Sequence, residues 1–190
     1  MTATFETIAY QTPKTSEYPS REKSYLLYYD RIHKAARIDH TNENGVKITT
    51  IRNYASHYEV RIERIDDQEL CEYSYLGEQF PEPEFPSTVK FIKEKIIDDT
   101  GFLLYNYQRH RQYIDLTISS RSNNPSRVDE YHIAGEKDAK PVFSTVYTSV
   151  IPSIDDPSVF DVEPFITNSK CTRNGKGWPY RQVFGPFVRI

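Results

Sequence analysis

The clearest pattern in the chain is a two-residue alternation of apolar and polar side chains in its first half. Tyr58, Val60 and Ile62 alternate with charged neighbours, which is typical of a strand with one buried face. Three shorter runs precede it, at residues 25–29, 35–40 and 46–54. Asn44 and Gly45 separate two of these runs and favour a tight hairpin turn. The spacing predicts an antiparallel meander of four strands.

The second half of the chain predicts more strands and one helix. Val89, Ile92 and Ile96 recur at helical spacing after a proline-rich stretch, so we predict a helix over residues 87–98. Further strands are predicted at residues 102–107, 113–119, 127–133 and 142–151. The last of these is apolar on both faces, which predicts a central place in the sheet. The pattern favours an α+β fold of about eight or nine mostly antiparallel strands with one crossing helix.

The two ends of the chain lack this alternation. Residues 1–23 are polar and contain Pro13 and Pro19, which predicts an extended N-terminal arm before a β domain at residues 24–171. Pro157 suits the first turn of a short helix near the end of that domain. Residues 172–190 form a C-terminal tail with four basic residues and no acidic one.

The C-terminal tail is open to two interpretations. It is either a disordered segment or a segment that packs on its own domain or on a partner. It contains four aromatic residues, whereas disordered segments are usually poor in aromatics. The candidate partner contacts in the tail are Arg173, Trp178, Tyr180, Arg181, Phe184 and Phe187.

Composition excludes several classes of function. The 24 Lys and Arg residues against 27 Asp and Glu residues give a net charge of -3, so the chain has no general attraction to nucleic acid or to acidic lipid. No stretch approaches the roughly 20 apolar residues that cross a bilayer. The first residues also lack the basic start and apolar run of a signal peptide. The chain is therefore either a mature form or a protein that is never secreted.

The sequence contains no recognisable motif for catalysis or cofactor binding. A nucleophile elbow, a zinc-protease helix, a P-loop and a dinucleotide-binding glycine motif are all absent. Three pairs of consecutive aspartates are candidates for calcium, although caps and solvated turns account for them better. We therefore expect a protein that is not an enzyme and that needs no cofactor.

Cys71 and Cys171 are the only cysteines in the chain. Our hypothesis is that they form one disulfide, which pins the C-terminal segment to the middle of the sheet. A reduced thiol pair in the cytosol has the same composition, so this pattern leaves an intracellular location open.

A motif near the end of the β domain resembles the ependymin-related family. Ile-Asp-Asp-Pro-Ser-Val-Phe at residues 154–160, followed by Pro164 and Cys171, is similar to the closing motif of that family. Three less specific patterns agree with it: residues 28–39, the strand from Tyr58 to Val60 that leads to Cys71, and Phe85-Pro86 before Phe91-Ile92. The resemblance covers residues 25–171.

The resemblance implies a fold like that of the LolA-type lipoprotein carriers. Such a fold is a curved, half-open sheet or half-barrel around a hydrophobic hollow, and the family pairing joins Cys71 to Cys171. Other family members usually have further disulfides, which this chain cannot form. Secretion, or a lysosomal location, is also implied.

The function that the resemblance implies is non-enzymatic binding of a lipid or another apolar molecule. The candidate lining residues are Ile38, Ile48, Tyr58, Val60, Ile62, Phe91, Ile96, Leu103, Tyr105, Ile114, Leu116 and Val146. The alternative function is a structural or adhesive subunit of a larger homo- or hetero-oligomer, which contacts its neighbours through the two terminal arms.

Overall fold

Twelve β-strands account for most of the described structure. The computed structural model describes residues 1–9, 23–80, 87–109, 112–132, 141–167 and 171–175. The first six strands are β1 Thr2–Ala9, β2 Lys23–Asp30, β3 Ala35–Thr41, β4 Lys47–Asn53, β5 Tyr58–Ile65 and β6 Gln68–Tyr75. The others are β7 Lys90–Ile97, β8 Thr100–Arg109, β9 Gln112–Ser119, β10 Pro125–His132, β11 Phe143–Ile151 and β12 Thr172–Arg173. A 3₁₀ helix at Pro157–Phe160 and a short α-helix, α1, at Glu163–Thr167 lie between β11 and β12.

All twelve strands belong to one sheet, in the order β12-β6-β5-β4-β3-β2-β1-β11-β10-β9-β8-β7. It consists of two meanders, β1–β6 and β7–β11, that join where β1 pairs with β11. Every neighbouring pair is antiparallel except β12 with β6. The predicted four-strand meander is confirmed as β2–β5, and the predicted central strand is confirmed as β11, between β1 and β10.

The N-terminal strand β1 corrects the prediction of an extended arm over residues 1–23. Thr2–Ala9 pairs with β2 on one side and with β11 on the other, at the centre of the sheet. Ala3, Phe5 and Thr7 are buried on one face, so this strand does alternate. The alternation is hard to see because small and polar residues carry most of it, although threonine is β-branched and favours strands. Residues 10–22 of the predicted arm lie outside the described residues.

The predicted helix over residues 87–98 is wrong, because this stretch contains β7 and its hairpin turn. Asp98 and Asp99 have φ of 47° and 58°, the left-handed values that a two-residue turn to β8 requires. The pairing with β8 shifts register between Phe91 and Lys93, which leaves Ile92 as a bulge. The extra residue disturbs the two-residue period and produces a spacing that resembles a helix. The fold therefore has no long crossing helix among its described residues.

The residues after β11 confirm the predicted short helix. Pro157 occupies the first turn of the 3₁₀ helix, and the Asp156 side chain accepts a hydrogen bond from the Ser158 N–H group. Helix α1 and strand β12 are additional elements that the alternation pattern did not predict.

One face of the sheet, called face A, is the face that carries Phe5, Leu27 and Ile38. Two groups of buried side chains lie on it, one in each meander. The first group is Phe5, Tyr25, Leu27, Tyr29, Ala36 and Ile38, and the second is Tyr107, Ile114, Leu116 and Val128. Tyr147 of β11 packs against both groups. The apolar layer of face A therefore runs continuously from one meander into the other.

The opposite face, called face B, is covered by the C-terminal segment in the first meander. Val162 of that segment packs with Ile51, Val60 and Ile62, and α1 adds its apolar side chains to the same cluster. Cys71 and Cys171 form the hypothesised disulfide beside it, with Cα atoms 4.5 Å apart. The disulfide therefore holds the cover of face B onto β6.

We predict that replacing Phe5 with alanine strongly destabilises the fold. The Phe5 ring is buried and lies 5.3 Å from the Tyr25 ring and 5.6 Å from the Tyr147 ring, so it joins the two meanders. The loss in unfolding free energy should be about 3–5 kcal/mol, measured by urea denaturation. Thr4→Ala, at the exposed neighbouring position, is the control and should cost less than about 1 kcal/mol. Equal losses for the two variants would contradict a joining role for Phe5.

We also predict that the disulfide contributes about 2–4 kcal/mol to stability, because it closes a loop across a sequence separation of 100 residues. The Cys71→Ser, Cys171→Ser double variant should unfold at lower urea than the oxidised protein. Reductant should lower the midpoint of the oxidised protein and leave that of the variant unchanged. An unchanged midpoint on reduction would show that face B keeps its cover without the bond.

Candidate ligand-binding site

The strand pairing places the twelve candidate lining residues on two different faces. Eight lie on face A: Ile38, Ile48, Phe91, Ile96, Leu103, Tyr105, Ile114 and Leu116. Four lie on face B: Tyr58, Val60, Ile62 and Val146. One lining surface therefore cannot include them all, since opposite faces of a sheet do not meet.

The four residues on face B fall into two places. Tyr58, Val60 and Ile62 belong to the cluster that the C-terminal segment covers. Val146 lies in the other meander, where its strand neighbours on face B are Glu6 and Arg127. The surroundings of Val146 on face B are charged, since the Arg127 Nε atom lies 2.8 Å from the carboxylate of Asp129. The candidate site is therefore on face A.

Burial on face A decreases steadily toward β7. Ile114 and Leu116 of β9 have 0% and 1% of their surface exposed. Leu103, Tyr105 and Ile118 are half-buried, while Phe91 and Ile96 are 57% and 70% exposed. We call these last five residues the open end of face A.

Pairing and ring contacts hold the open end together. Leu103 is directly opposite Ile118 in the β8–β9 ladder, and Tyr105 is opposite Leu116. The rings of Phe91 and Tyr105 meet edge to face, with centroids 5.6 Å apart. An apolar surface that continues from a buried core into solvent is suited to cover by an apolar molecule.

A buried ion pair lies on face A of the first meander. The Arg52 guanidinium contacts the Glu59 carboxylate at 3.0 Å, on directly opposite positions of β4 and β5, and it also contacts Glu78. Arg52 and Glu59 have almost no exposed surface, whereas Glu78 is partly exposed. The alternation pattern missed this pair because it assigns charged residues to solvent, and two opposite charges in strand register are its only sequence signal.

Aromatic rings surround the ion pair and anchor the chain that leaves β6. The Phe80 ring stacks on Tyr29 at 5.2 Å and meets Tyr54 edge to face at 5.1 Å. Burial raises the pKa of Tyr54 to about 12, and the nearby Arg52 charge opposes that shift. Burial also raises the pKa of Tyr25 to about 12, and it raises the pKa of Tyr147 as well. All three phenols therefore stay protonated well above neutral pH.

Two surface hollows lie apart from the open end. One, of about 540 Å³, lies beside α1 and includes Asn53, Asp161 and Glu163. The other, of about 420 Å³, includes Arg37 and Arg64, which are paired with Asp39 and Glu69. The second hollow also includes Tyr25, Leu26 and the candidate lining residue Ile48.

Two kinds of feature are absent from the described part of the chain: groups of metal-ligating side chains and membrane-spanning helices. Its His, Cys, Asp and Glu side chains form no group of three that could hold a metal ion. None of its helices has the length and apolar character needed to cross a membrane.

Among the six predicted partner contacts of the tail, Arg173 is described. It lies exposed on β12, beside Tyr73 of β6. Trp178, Tyr180, Arg181, Phe184 and Phe187 lie outside the described residues.

We predict that stability falls as the pH rises from about 10 toward about 12. The folded state holds the Tyr25 and Tyr54 protons more tightly than the unfolded chain, whose tyrosines titrate near 10. The stability contribution is complete below that pH and is lost as the pH rises through the folded pKa. The unfolding free energy, measured with urea at each pH, should fall less steeply with pH in a Tyr25→Phe, Tyr54→Phe variant. The core control Ile51→Val should lower the unfolding free energy at every pH by the same amount. If the free energy of the tyrosine variant falls as steeply as that of the unmodified protein, the prediction is contradicted.

Comparisons with known proteins give distant structural matches only. No protein-family model matches the chain, and no curated protein matches it either. Among solved structures, the chain is similar to one in the MucA/MucB complex of Pseudomonas aeruginosa, with a TM-score of 0.48 and 10% identity, over 85% of this chain and 54% of that chain. A structure of MucB in complex with MucA(peri) gives a TM-score of 0.35 and 12% identity, over 81% of this chain and 52% of that one. A PNGF-II structure gives a TM-score of 0.33 and 11% identity, over 92% of this chain and 31% of that chain. The chain thus spans about half of the first two and less of the third.

Proposed function

We propose that this protein is a non-enzymatic, secreted binding protein, similar to the ependymin-related family, that carries a lipid or another apolar molecule. The observation that supports the proposal is the continuous apolar layer of face A, which ends in solvent at Leu103, Tyr105, Ile118, Phe91 and Ile96. The ligand would lie on this open end, because the residues further inside have no accessible surface left to offer.

Burial of hydrocarbon provides the binding energy. Each methylene group that leaves water contributes about 0.8 kcal/mol, so affinity should rise nearly fourfold with each added carbon of a bound acyl chain. Part of that energy offsets the lost freedom of the ligand. The Tyr105 hydroxyl gives the open end a polar group that could orient the head of the ligand, since tyrosine combines an apolar ring with a hydrogen-bonding tip.

Secretion is the second part of the proposal. The Cys71–Cys171 disulfide supports it, because such bonds persist in oxidising compartments and are rare in the cytosol. An extracellular or lysosomal location satisfies this requirement equally.

The alternative function is an assembly subunit that contacts its neighbours through two arms. Only one of these arms remains a candidate contact. Thr2–Ala9 of the N-terminal arm is a central strand of the sheet and is not available to a neighbour. In the C-terminal tail, Arg173 is exposed and remains a candidate partner contact. The two functions differ in what removal of residues 176–190 should do: a carrier keeps its ligand, whereas an assembly subunit loses its partner.

We predict that a charge at the open end reduces ligand uptake. Leu103→Lys should weaken binding of a fluorescent fatty acid roughly tenfold or more, because an ammonium group replaces apolar surface beneath the acyl chain. Leu70→Lys is the matched control, since Leu70 is an exposed leucine on β6 in the other meander; it should bind like the unmodified protein, as should a chain ending at residue 175.

Three results would contradict the carrier function. They are an absence of uptake by the unmodified protein, equal losses in Leu103→Lys and Leu70→Lys, and an affinity that does not change with acyl-chain length. The circular dichroism spectrum of each variant checks that the sheet is intact.

A further inference from the structure

Strand β7 is the outer strand of the sheet at the end of the second meander. Within the described part of the chain its sheet partner is β8, and all eight of its residues, Lys90–Ile97, are exposed. An outer strand presents main-chain N–H and C=O groups that a further strand can pair with. Phe91, Ile92, Ile96 and Ile97 are each more than 40% exposed, which is unusual for four apolar residues of one strand.

The two faces of β7 have different chemistry. Its pairing with β8 puts Phe91, Glu94 and Ile96 on face A, and Lys90, Lys93 and Lys95 on face B. These three lysines have no ion pair with the described residues. A strand added to this edge would therefore meet Phe91 and Ile96, with Glu94 between them, on one face and a cationic row on the other.

A second copy of the chain fits this edge poorly. A two-fold antiparallel pairing of β7 with itself keeps face A beside face A, so the strand must be centred on a residue. Centring on Lys93 or on Lys95 sets that lysine against itself. Centring on Glu94 sets Glu94 against itself and Lys93 against Lys95. Like charges directly opposite one another destabilise a strand pair.

A lipid surface also fits poorly. Hydrocarbon would cover the apolar side chains, but it would leave the outer N–H and C=O groups of β7 without hydrogen-bond partners. Lysines on an outer strand commonly serve to prevent aggregation. That role alone does not account for Phe91 and Ile96, which extend the apolar row of face A into solvent.

We propose that β7 binds an extended, acidic segment of another protein, which adds to the sheet as a further strand. Acidic side chains at alternate positions of the segment lie opposite Lys93 and Lys95 on face B. The residue of the segment between these two acids lies opposite Glu94, and apolar side chains at the flanking positions on face A lie on Phe91 and Ile96. Main-chain hydrogen bonds to β7 supply affinity, and the alternating pattern supplies specificity. This interaction shares Phe91 and Ile96 with the proposed site of face A, but it does not require that site to bind a ligand.

The experiment uses the full chain and a fluorescent peptide of sequence EVEIEVEI, with KVKIKVKI as the charge-reversed probe. We expect the acidic peptide to bind and the basic peptide to bind roughly tenfold or more weakly. The Lys93→Glu, Lys95→Glu double variant should bind the acidic peptide more weakly by a similar factor, and its fatty-acid uptake should be unchanged. The matched control, Lys34→Glu with Lys47→Glu, makes the same charge change on exposed positions of the first meander and should bind within about twofold of the unmodified protein.

Hydrogen exchange separates strand addition from simple charge attraction. The bound peptide should slow exchange of outward-facing β7 amides. The proposal is overturned if the acidic peptide fails to bind at about 1 mM, if both peptides bind equally, or if the β7 amides are not slowed. It is also overturned if sedimentation shows a dimer that the Lys93 and Lys95 variant loses, or if phosphatidylserine vesicles bind through these lysines while the peptide does not.

Discussion

The pairing of β1 with β11 is the interaction on which the rest of the fold depends. Each meander is built from neighbours in sequence, and this pairing joins the first strand of one meander to the last strand of the other. It also brings Phe5 within 5.6 Å of Tyr147, a residue that packs against the core of both halves. Because the strands on either side continue the same ladder, a single apolar surface extends across both meanders, and the candidate site is the place where this surface reaches solvent.

The two faces of the sheet obtain their cover in different ways. In the first meander, face B is covered by residues that come after β11, and the Cys71–Cys171 bond fixes this cover to β6. Face A is anchored by Phe80 over Tyr29, next to the buried contact between Arg52 and Glu59. Leaving Arg52 buried without its carboxylate partners would be costly, so the ion pair fixes where the chain leaves β6. The second meander has no such anchor at β7 among its described residues, and every residue of this outer strand is exposed.

The sequence predicted the strands whose alternation is carried by large apolar residues, such as Val60 and Ile62 in β5. It failed where another property decides the structure. In β1 the buried positions include Ala3 and Thr7, whose small or polar side chains hide the period. In β7 a bulge at Ile92 changes the period, and the left-handed Asp98 and Asp99 determine the hairpin. Local pattern cannot reveal either case, since the β1 register and the bulge are defined by pairing partners.

The same limit applies to the candidate site. Alternation identifies Leu103 and Tyr105 as residues of one face, but it cannot rank their burial against Ile114, because burial depends on distance from the junction of the meanders. It also cannot show that β7 is an outer strand, which is a property of sheet order. Outer position and incomplete cover have a common cause: β7 is the strand furthest from β1 and β11 in its meander. A site for an apolar ligand and an edge for a further strand therefore occur together at this end of the sheet. They share Phe91 and Ile96, whereas the outer main chain of β7 and the lysines of face B serve the added strand alone.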